Sequence, residues 1–209
     1  MLKKIKTLGN FLEKIFNQIP FLGGNDSQRL IESFSRNSSM ALDLKLRFHT
    51  LLKSLVRVQK NPFGMIIVLG WRDQWSDRHT SVPDSDQNIF SELPLNIAHK
   101  SDGEILDILK RTVDFDGAIL ADSQGCILAS GIYLENMKPK EAAKEMGLRP
   151  GKDLSETFGF KRKVHARHLT AIAASYRLEN TVVYVVSEED GSLRAFENGR
   201  IIVSTVYGE

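Results

Sequence analysis

Asp116-Gly117-Ala118 stands at the mouth of an apolar stretch, and its residue types suit a ligand site. Aspartate can hold a hard cation through oxygen. Glycine lets a ligand approach the backbone closely, and alanine leaves room for a flat group. The same triplet equally suits a plain turn at a strand start. Ala166-Arg167-His168-Leu169-Thr170 opens a stretch rich in alanine that reads as a helix. The first turn of a helix offers free N–H groups and a positive dipole end. Arg167, His168 and the Thr170 hydroxyl placed there make a phosphate cradle. The competing reading is a solvated charged helix start with His168 hydrogen-bonded in the core. Ser187-Glu188-Glu189 follows the apolar run TVVYVV. Its acids can bind metal or orient a hydroxyl, or they can be turn residues before Asp190-Gly191. Taken together, two acidic clusters and one cationic helix start lie at the ends of core elements. Metal-assisted phosphoryl or nucleotidyl transfer needs that inventory, because metal and arginine must neutralise charge on the reacting phosphate.

Other motifs carry less. Gly147-Leu148-Arg149-Pro150-Gly151-Lys152 superficially resembles a P-loop, but three residues separate the glycines and Asp153 follows the lysine. A P-loop has four residues there, a Ser or Thr after the lysine, and a strand before it. His165 and His168 are spaced as part of a metal pair, without an evident third ligand. Lys161-Arg162-Lys163 is a solvated run that can attract a polyphosphate electrostatically. Cys126, the single cysteine, sits in the apolar run CILAS and reads as a buried structural thiol. One cysteine excludes an intrachain disulfide framework and a cysteine-based metal site.

The elements that must position these residues follow from patterning. Leu2, Ile5, Leu8, Leu12, Ile15 and Ile19 recur at helical spacing over residues 2–19. A second helical stretch is predicted from about Gln28 to Lys60, ended by Asn61-Pro62-Phe63. Met65–Leu69 (MIIVL) has the length and branching of a buried strand. Residues 71–99 read as a long polar loop with one edge strand. A helix is predicted over 102–112, where Ser101 and Glu104 have capping-box spacing. A hairpin follows, Gly117–Ala121 and Cys126–Ala129 around Asp122-Ser123-Gln124-Gly125. Residues 131–165 read as mostly loop, with a short helix between Pro139 and Gly147. A helix over Arg167–Tyr176 and a strand over Thr181–Val186 come next. Two strands around Asn198-Gly199 close the chain, that dipeptide being a strong two-residue hairpin signal. The sum is an α/β fold, a mixed central sheet flanked by helices, over residues 61–209. Residues 1–60 form an N-terminal appendage of amphipathic helices.

The 209 residues are 42% hydrophobic and 26% charged, which suits a globular protein able to bury a core without staples. A formal net charge of only +2 argues against a general nucleic-acid binder, so no nucleic-acid partner is expected. No apolar run of about 18 residues occurs, so no transmembrane segment is expected. The N-terminus lacks the features of a signal peptide. The cytoplasm is the expected location.

The three site segments, in this order, resemble the hallmarks of the diadenylate cyclase domain family: a DGA motif, an RHR-type motif and an acidic SEE-type segment. Gly64–Leu69, Gly131-Ile132-Tyr133-Leu134 and Gly191 to Gly199 are similar to that family's framework, and the likeness covers roughly residues 45–209. It implies condensation of two ATP into cyclic di-AMP and two pyrophosphates, with Mg2+ or Mn2+, across a face-to-face homodimer. On that basis Asp116 serves the metal and the 3′-hydroxyl. Gly117, Ala118 and Leu134 border the nucleoside. Arg167, His168 and Ser187 hold phosphates, with Thr170 or a nearby basic residue able to substitute for a missing donor, and Glu188 or Glu189 assists the metal. The chain departs from the pattern at Ala166, at Leu169 in place of the second arginine, and at Phe115. The RHL form looks like an archaeal-type branch.

The resemblance does not cover the N-terminal helices. Their apolar stripes can pack on their own domain or drive higher homo-oligomers that hold active faces apart. Lys3, Lys4, Lys6 and Lys14 also permit weak contact with a membrane surface. Two other classes stand beside the enzyme: an idle nucleotide-binding module of the same fold, and a helical oligomerisation protein carrying an unrelated α/β domain.

Overall fold

The computed structural model describes residues 24–36, 40–83 and 86–209, so the amphipathic pattern read over 2–19 lies outside the described residues. Among the described residues eight strands form one mixed sheet. They are β1 (Met65–Leu69), β2 (His79–Ser81), β3 (Leu95–Asn96), β4 (Ala118–Ala121), β5 (Cys126–Leu134), β6 (Val182–Val186), β7 (Leu193–Glu197) and β8 (Arg200–Ser204). The sheet order is β2-β5-β4-β1-β6-β7-β8, with β3 also paired to β5. Among these described strands only β1 and β4 pair in parallel; β6 pairs antiparallel on the other side of β1.

The central strands are apolar at every position because both faces are covered. Ile67, Leu69, Val182 and Tyr184 point into one core, Ile66, Val68, Val183 and Val185 into the other. The first core is roofed by α1 (Gly24–Ser35), α2 (Leu42–Val58) and α3 (Asp102–Leu109). The second is closed by α4 (Pro139–Glu145), α5 (Leu154–Thr157) and α6 (Ala166–Arg177). Ala171, Ala173 and Ala174 on α6 are fully buried, and their small size lets the helix lie close on the sheet. Leu46, Phe48, Leu51, Leu52 and Leu55 of α2 are buried among sheet residues, so the core runs across residue 60. Each such side chain contributes about 1.5–3 kcal/mol of burial.

Several boundaries differ from the pattern reading. The stretch from Gln28 to Lys60 is two helices, ending at Ser35 and resuming at Leu42. The segment 71–99 holds two short strands and 3₁₀ turns at Asp73–Arg78 and Ile97–His99. β5 continues to Leu134, well past Ala129, because His79–Ser81 pairs with its second half. A kink at Ser130-Gly131 makes this possible. The Ser130 hydroxyl donates to the Gln87 carbonyl at 2.5 Å and its N–H donates to Asn88 Oδ1 at 3.1 Å. Leu154–Thr157 is an unforeseen short helix, capped by Asp153, whose Oδ1 accepts from Glu156 N at 3.0 Å. Cys126 is half-buried rather than buried. Its N–H donates to Asp122 Oδ1, which places it at the rim of the hairpin turn, and burial pushes its thiol up.

Two local signals match the coordinates closely. Ser101 and Glu104 make both bonds of the capping box at the start of α3. Asn198 and Gly199 adopt φ of 51° and 70°, the doubly left-handed turn that a two-residue hairpin requires.

Candidate functional site

The start of β1, the start of β4 and the end of β6 meet at one edge of the sheet, because Ile66 faces both Ala118 and Val185. α6 begins above that edge. Together with the end of β5 they enclose a cleft of about 610 Å³, within the size range of small-molecule sites. One wall is flat and small: Ile66, Gly117, Ala118 and Leu134. Gly117 has φ +77°, and a Cβ there would meet the Ile132 carbonyl oxygen at 2.6 Å. The opposite wall is the first turn of α6, presenting Ala166, Arg167 and Thr170, with Glu188 below it.

Among the described residues no side chain caps the start of α6. Arg167 Nη1 donates to Glu188 Oε2 at 2.6 Å. That bond, with the guanidinium charge, holds the Glu188 carboxyl below its ordinary range. The guanidinium lies directly over Gly64, in the space a Cβ would occupy. Beside this pair, His165 Nε2 is 2.7 Å from Glu189 Oε1 on the exposed rim. Asp116 is exposed and borders a shallow recess next to the cleft, shared with Gly64, Phe115 and Gly131. Its backbone N–H donates to Gln87 Oε1 at 2.7 Å, so the 86–90 loop fixes where the aspartate stands.

The residues singled out from sequence therefore separate into two sets. Gly117, Ala118, Leu134, Arg167, Thr170 and Glu188 line one cleft, and Asp116 stands at its margin. His168 and Ser187 do not line it. His168 is buried behind the first turn of α6, with Nε2 3.0 Å from Arg194 Nη1. Burial, then the Arg194 charge, lowers its pKa from 6.5 to about 4. Ser187 is buried in the turn after β6, where its carbonyl accepts from Gly191 N and its hydroxyl from Glu189 N. Glu189 is held by His165. Sequence reasoning had not assigned roles to Gly64, Gln87 or Glu135. Glu135 lines the cleft, and its Oε1 accepts from Thr80 Oγ1 at 2.9 Å. A glycine just before the first buried strand was the available signal for Gly64; Gln87 offered none.

Among the described residues no three His, Cys, Asp or Glu side chains converge on a metal position. None of the described helices is long and apolar enough to cross a membrane.

No family model and no curated protein matches the chain. Among solved structures it is similar to a protein from Bacillus cereus described as a hypothetical membrane spanning protein, with 17% identity and a TM-score of 0.47. That match covers 78% of this chain, which spans 63% of the length of the Bacillus protein. It is also similar to a double cysteine mutant of DacA from Staphylococcus aureus, with 16% identity, a TM-score of 0.40, and 88% and 90% of the two chains covered.

Proposed function

We propose that the chain is a diadenylate cyclase, condensing two ATP into cyclic di-AMP and two pyrophosphates. The observation that carries this reading is the pairing, in one cleft, of a flat small-residue wall with an uncapped helix start bearing Arg167. A nucleoside fits against Gly117, Ala118 and Leu134. Its polyphosphate then meets the N–H groups of the first turn, the Thr170 hydroxyl and Arg167. In the reaction the 3′-oxygen of one ATP bonds to the α-phosphorus of the other. The bond from that phosphorus to the bridging oxygen breaks, and pyrophosphate leaves with the electron pair. Asp116, at the cleft margin, is the group to accept the hydroxyl proton. One cleft holds one ATP, so the reaction calls for a homodimer with clefts facing.

The donor set fits a cation that arrives on the nucleotide. Mg2+ typically uses one or two carboxylates and takes its remaining ligands from phosphate and water. Asp116 and Glu188 would hold it, with Glu189 next in reach once released by His165. Bound there, Mg2+ or Mn2+ would neutralise charge on the reacting phosphate. A soluble, cytoplasmic homo-oligomer accompanies this reading, without a nucleic-acid partner.

A second reading, an idle nucleotide-binding module, is favoured by two observations. His168 faces away from the cleft, and Leu169 supplies no donor where the resemblance leads one to expect arginine. Incubation of the purified chain with ATP and either metal, followed by nucleotide chromatography, separates the two. The cyclase makes cyclic di-AMP and loses it in Asp116→Asn. Binding of ATP without product under both metals selects the idle module. An Asp116→Asn variant with full turnover removes Asp116 from the chemistry.

A further inference from the structure

A buried charged group with four side-chain hydrogen bonds lies outside the cleft, immediately behind it. Arg194 on β7 is buried, and so is the Glu209 side chain that grips it. Arg194 Nε donates to Glu209 Oε2 at 2.7 Å and Nη2 donates to Oε1 at 3.2 Å, a two-pronged contact. Glu209 is itself fixed, accepting from the Ser204 hydroxyl at 2.9 Å and from Lys161 N at 3.2 Å. Nη1 is then left pointing at Ser192 Oγ, 2.9 Å away, and at His168 Nε2, 3.0 Å away. The Phe160 ring completes the enclosure, 5.8 Å from the guanidinium and edge-on to His168 at 6.1 Å.

A guanidinium only donates hydrogen bonds. His168 Nε2 must therefore accept, which places the imidazole proton on Nδ1 and keeps the ring neutral. His168 belongs to the same helical turn as Arg167 and Thr170, which face the cleft. We propose that Arg194, clamped by Glu209, is a positioning residue that holds His168 as a neutral acceptor and thereby fixes the orientation of the phosphate-facing turn of α6. The inference rests on the reading of that turn as a phosphate wall.

The chemistry favours an orienting role over a purely stabilising one. Burying an ion pair gives no stability advantage over apolar residues of similar volume. Elsewhere α6 meets the sheet through Ala171, Ile172, Ala173 and Ala174, which supply close packing without direction, and through Ser175, whose hydroxyl accepts from Gly199 N further along the helix. A two-pronged clamp and a single acceptor bond define the rotation of one ring. Groups that bind a reacting phosphate need that kind of support, since a misplacement of about 1 Å costs about 100-fold.

The test uses the full chain and two variants. In His168→Gln the amide oxygen takes the place of Nε2 as acceptor; in His168→Phe the ring shape stays but the acceptor goes. Affinity for a non-hydrolysable ATP analogue with Mg2+ is measured by calorimetry, and folding by thermal melting. His168→Phe should bind about tenfold more weakly while His168→Gln stays within about threefold of the parent, the value of one charge-assisted hydrogen bond. Nitrogen-15 NMR of the unaltered protein at neutral pH should show His168 Nε2 without a proton. Equal affinity of the two variants, or a protonated Nε2, overturns the inference, and the NMR result decides it if His168→Phe does not fold. The two readings fail separately. A chain that makes no cyclic di-AMP but shows the Phe–Gln contrast loses the proposed function and keeps the positioning role. An active chain without the contrast does the reverse.

Discussion

Gly64→Ala tests Arg167 through a single added methyl group. Gly64 lies outside the left-handed region, so its backbone accepts alanine without strain. The new methyl group would occupy the space of Arg167 Nη1 and Cζ, the far end of a flexible side chain. Arg167 must swing aside and release Glu188. Arg167 is partly exposed and Glu188 mostly so, and an ion pair of that kind is worth about 0–1 kcal/mol. For a chain of this size the melting temperature should fall by less than about 4 °C. On the proposed reading the kinetic cost is far larger. Removing one positioned donor from a charge-developing oxygen typically costs about 100- to 1,000-fold in turnover. Gly103, on α3 with nothing within 4 Å of a Cβ, gives the control: Gly103→Ala adds the same methyl group to no effect on turnover. The assay is initial rate of cyclic di-AMP formation at saturating ATP and Mn2+, paired with a melting curve. A Gly64→Ala protein that folds and turns over within about threefold of the parent contradicts the role given to Arg167. A melting drop beyond about 10 °C contradicts the claim that only a side-chain tip moves.

Two further expectations concern the scaffold. Lys45 and Glu197 form a buried pair at 3.1 Å that joins α2 to β7, and Lys45 also donates to the Phe34 carbonyl. Lys45→Met should cost about 3–5 kcal/mol in urea unfolding by leaving Glu197 buried and uncompensated, and adding Glu197→Leu should recover most of it. A single variant as stable as the parent would refute this account of the pair. The second concerns acid. His49 is buried beside Phe34, with Nδ1 lacking a hydrogen-bond partner among the described residues, and burial followed by the Lys53 charge lowers its pKa from 6.5 to about 4. The unfolded chain therefore takes up the proton first. Stability is fully present above pH 6.5 and is lost as pH falls towards 4, by up to about 3 kcal/mol for this residue. The urea midpoint should fall less between pH 7 and pH 5 in His49→Leu than in the parent; identical pH slopes would exclude His49 as a source.

Much of the fold was legible because it rests on local rules. The apolar runs at Met65–Leu69 and Val182–Val186, the Ser101–Glu104 box and the Asn198-Gly199 turn each encode their own geometry. The cleft was legible in part because Asp116, Arg167 and Glu188 sit at element ends that the sheet order brings to one edge. His168 was readable too, by a signal left unused. With Ala171, Ile172 and Ser175 it follows the i, i+3, i+4, i+7 spacing of a buried helix stripe, while Arg167 and Thr170 share the cleft-facing side. What stayed hidden depends on contacts between distant segments. Nothing near Gly64 announces that Arg167 will lie across it, and nothing near Arg194 announces Glu209 or His168. The kink in β5 is set by Gln87 and Asn88 from a loop that reads as featureless polar sequence.

The packing also bears on how any regulation through the N-terminus has to be sought. Because α2 buries Leu46, Phe48, Leu51, Leu52 and Leu55 against the sheet, removal of residues 1–60 would take away part of the core together with any inhibitory helix. A truncation that ends before α1, at Gly24, leaves the described core intact and so separates control from folding. Within the site, the Arg167–Glu188 pair gives an order to the ligands on the proposed reading. Glu188 engages Nη1 of the guanidinium, so a phosphate that takes that donor displaces a carboxylate. The displaced Glu188 then stands anionic beside the incoming phosphate, where a divalent cation relieves the repulsion. Nucleotide alone would meet that repulsion, and cation alone would meet too few ligands. The geometry thus favours their arrival as a complex, with Arg167 passing from the protein's own carboxylate to the substrate.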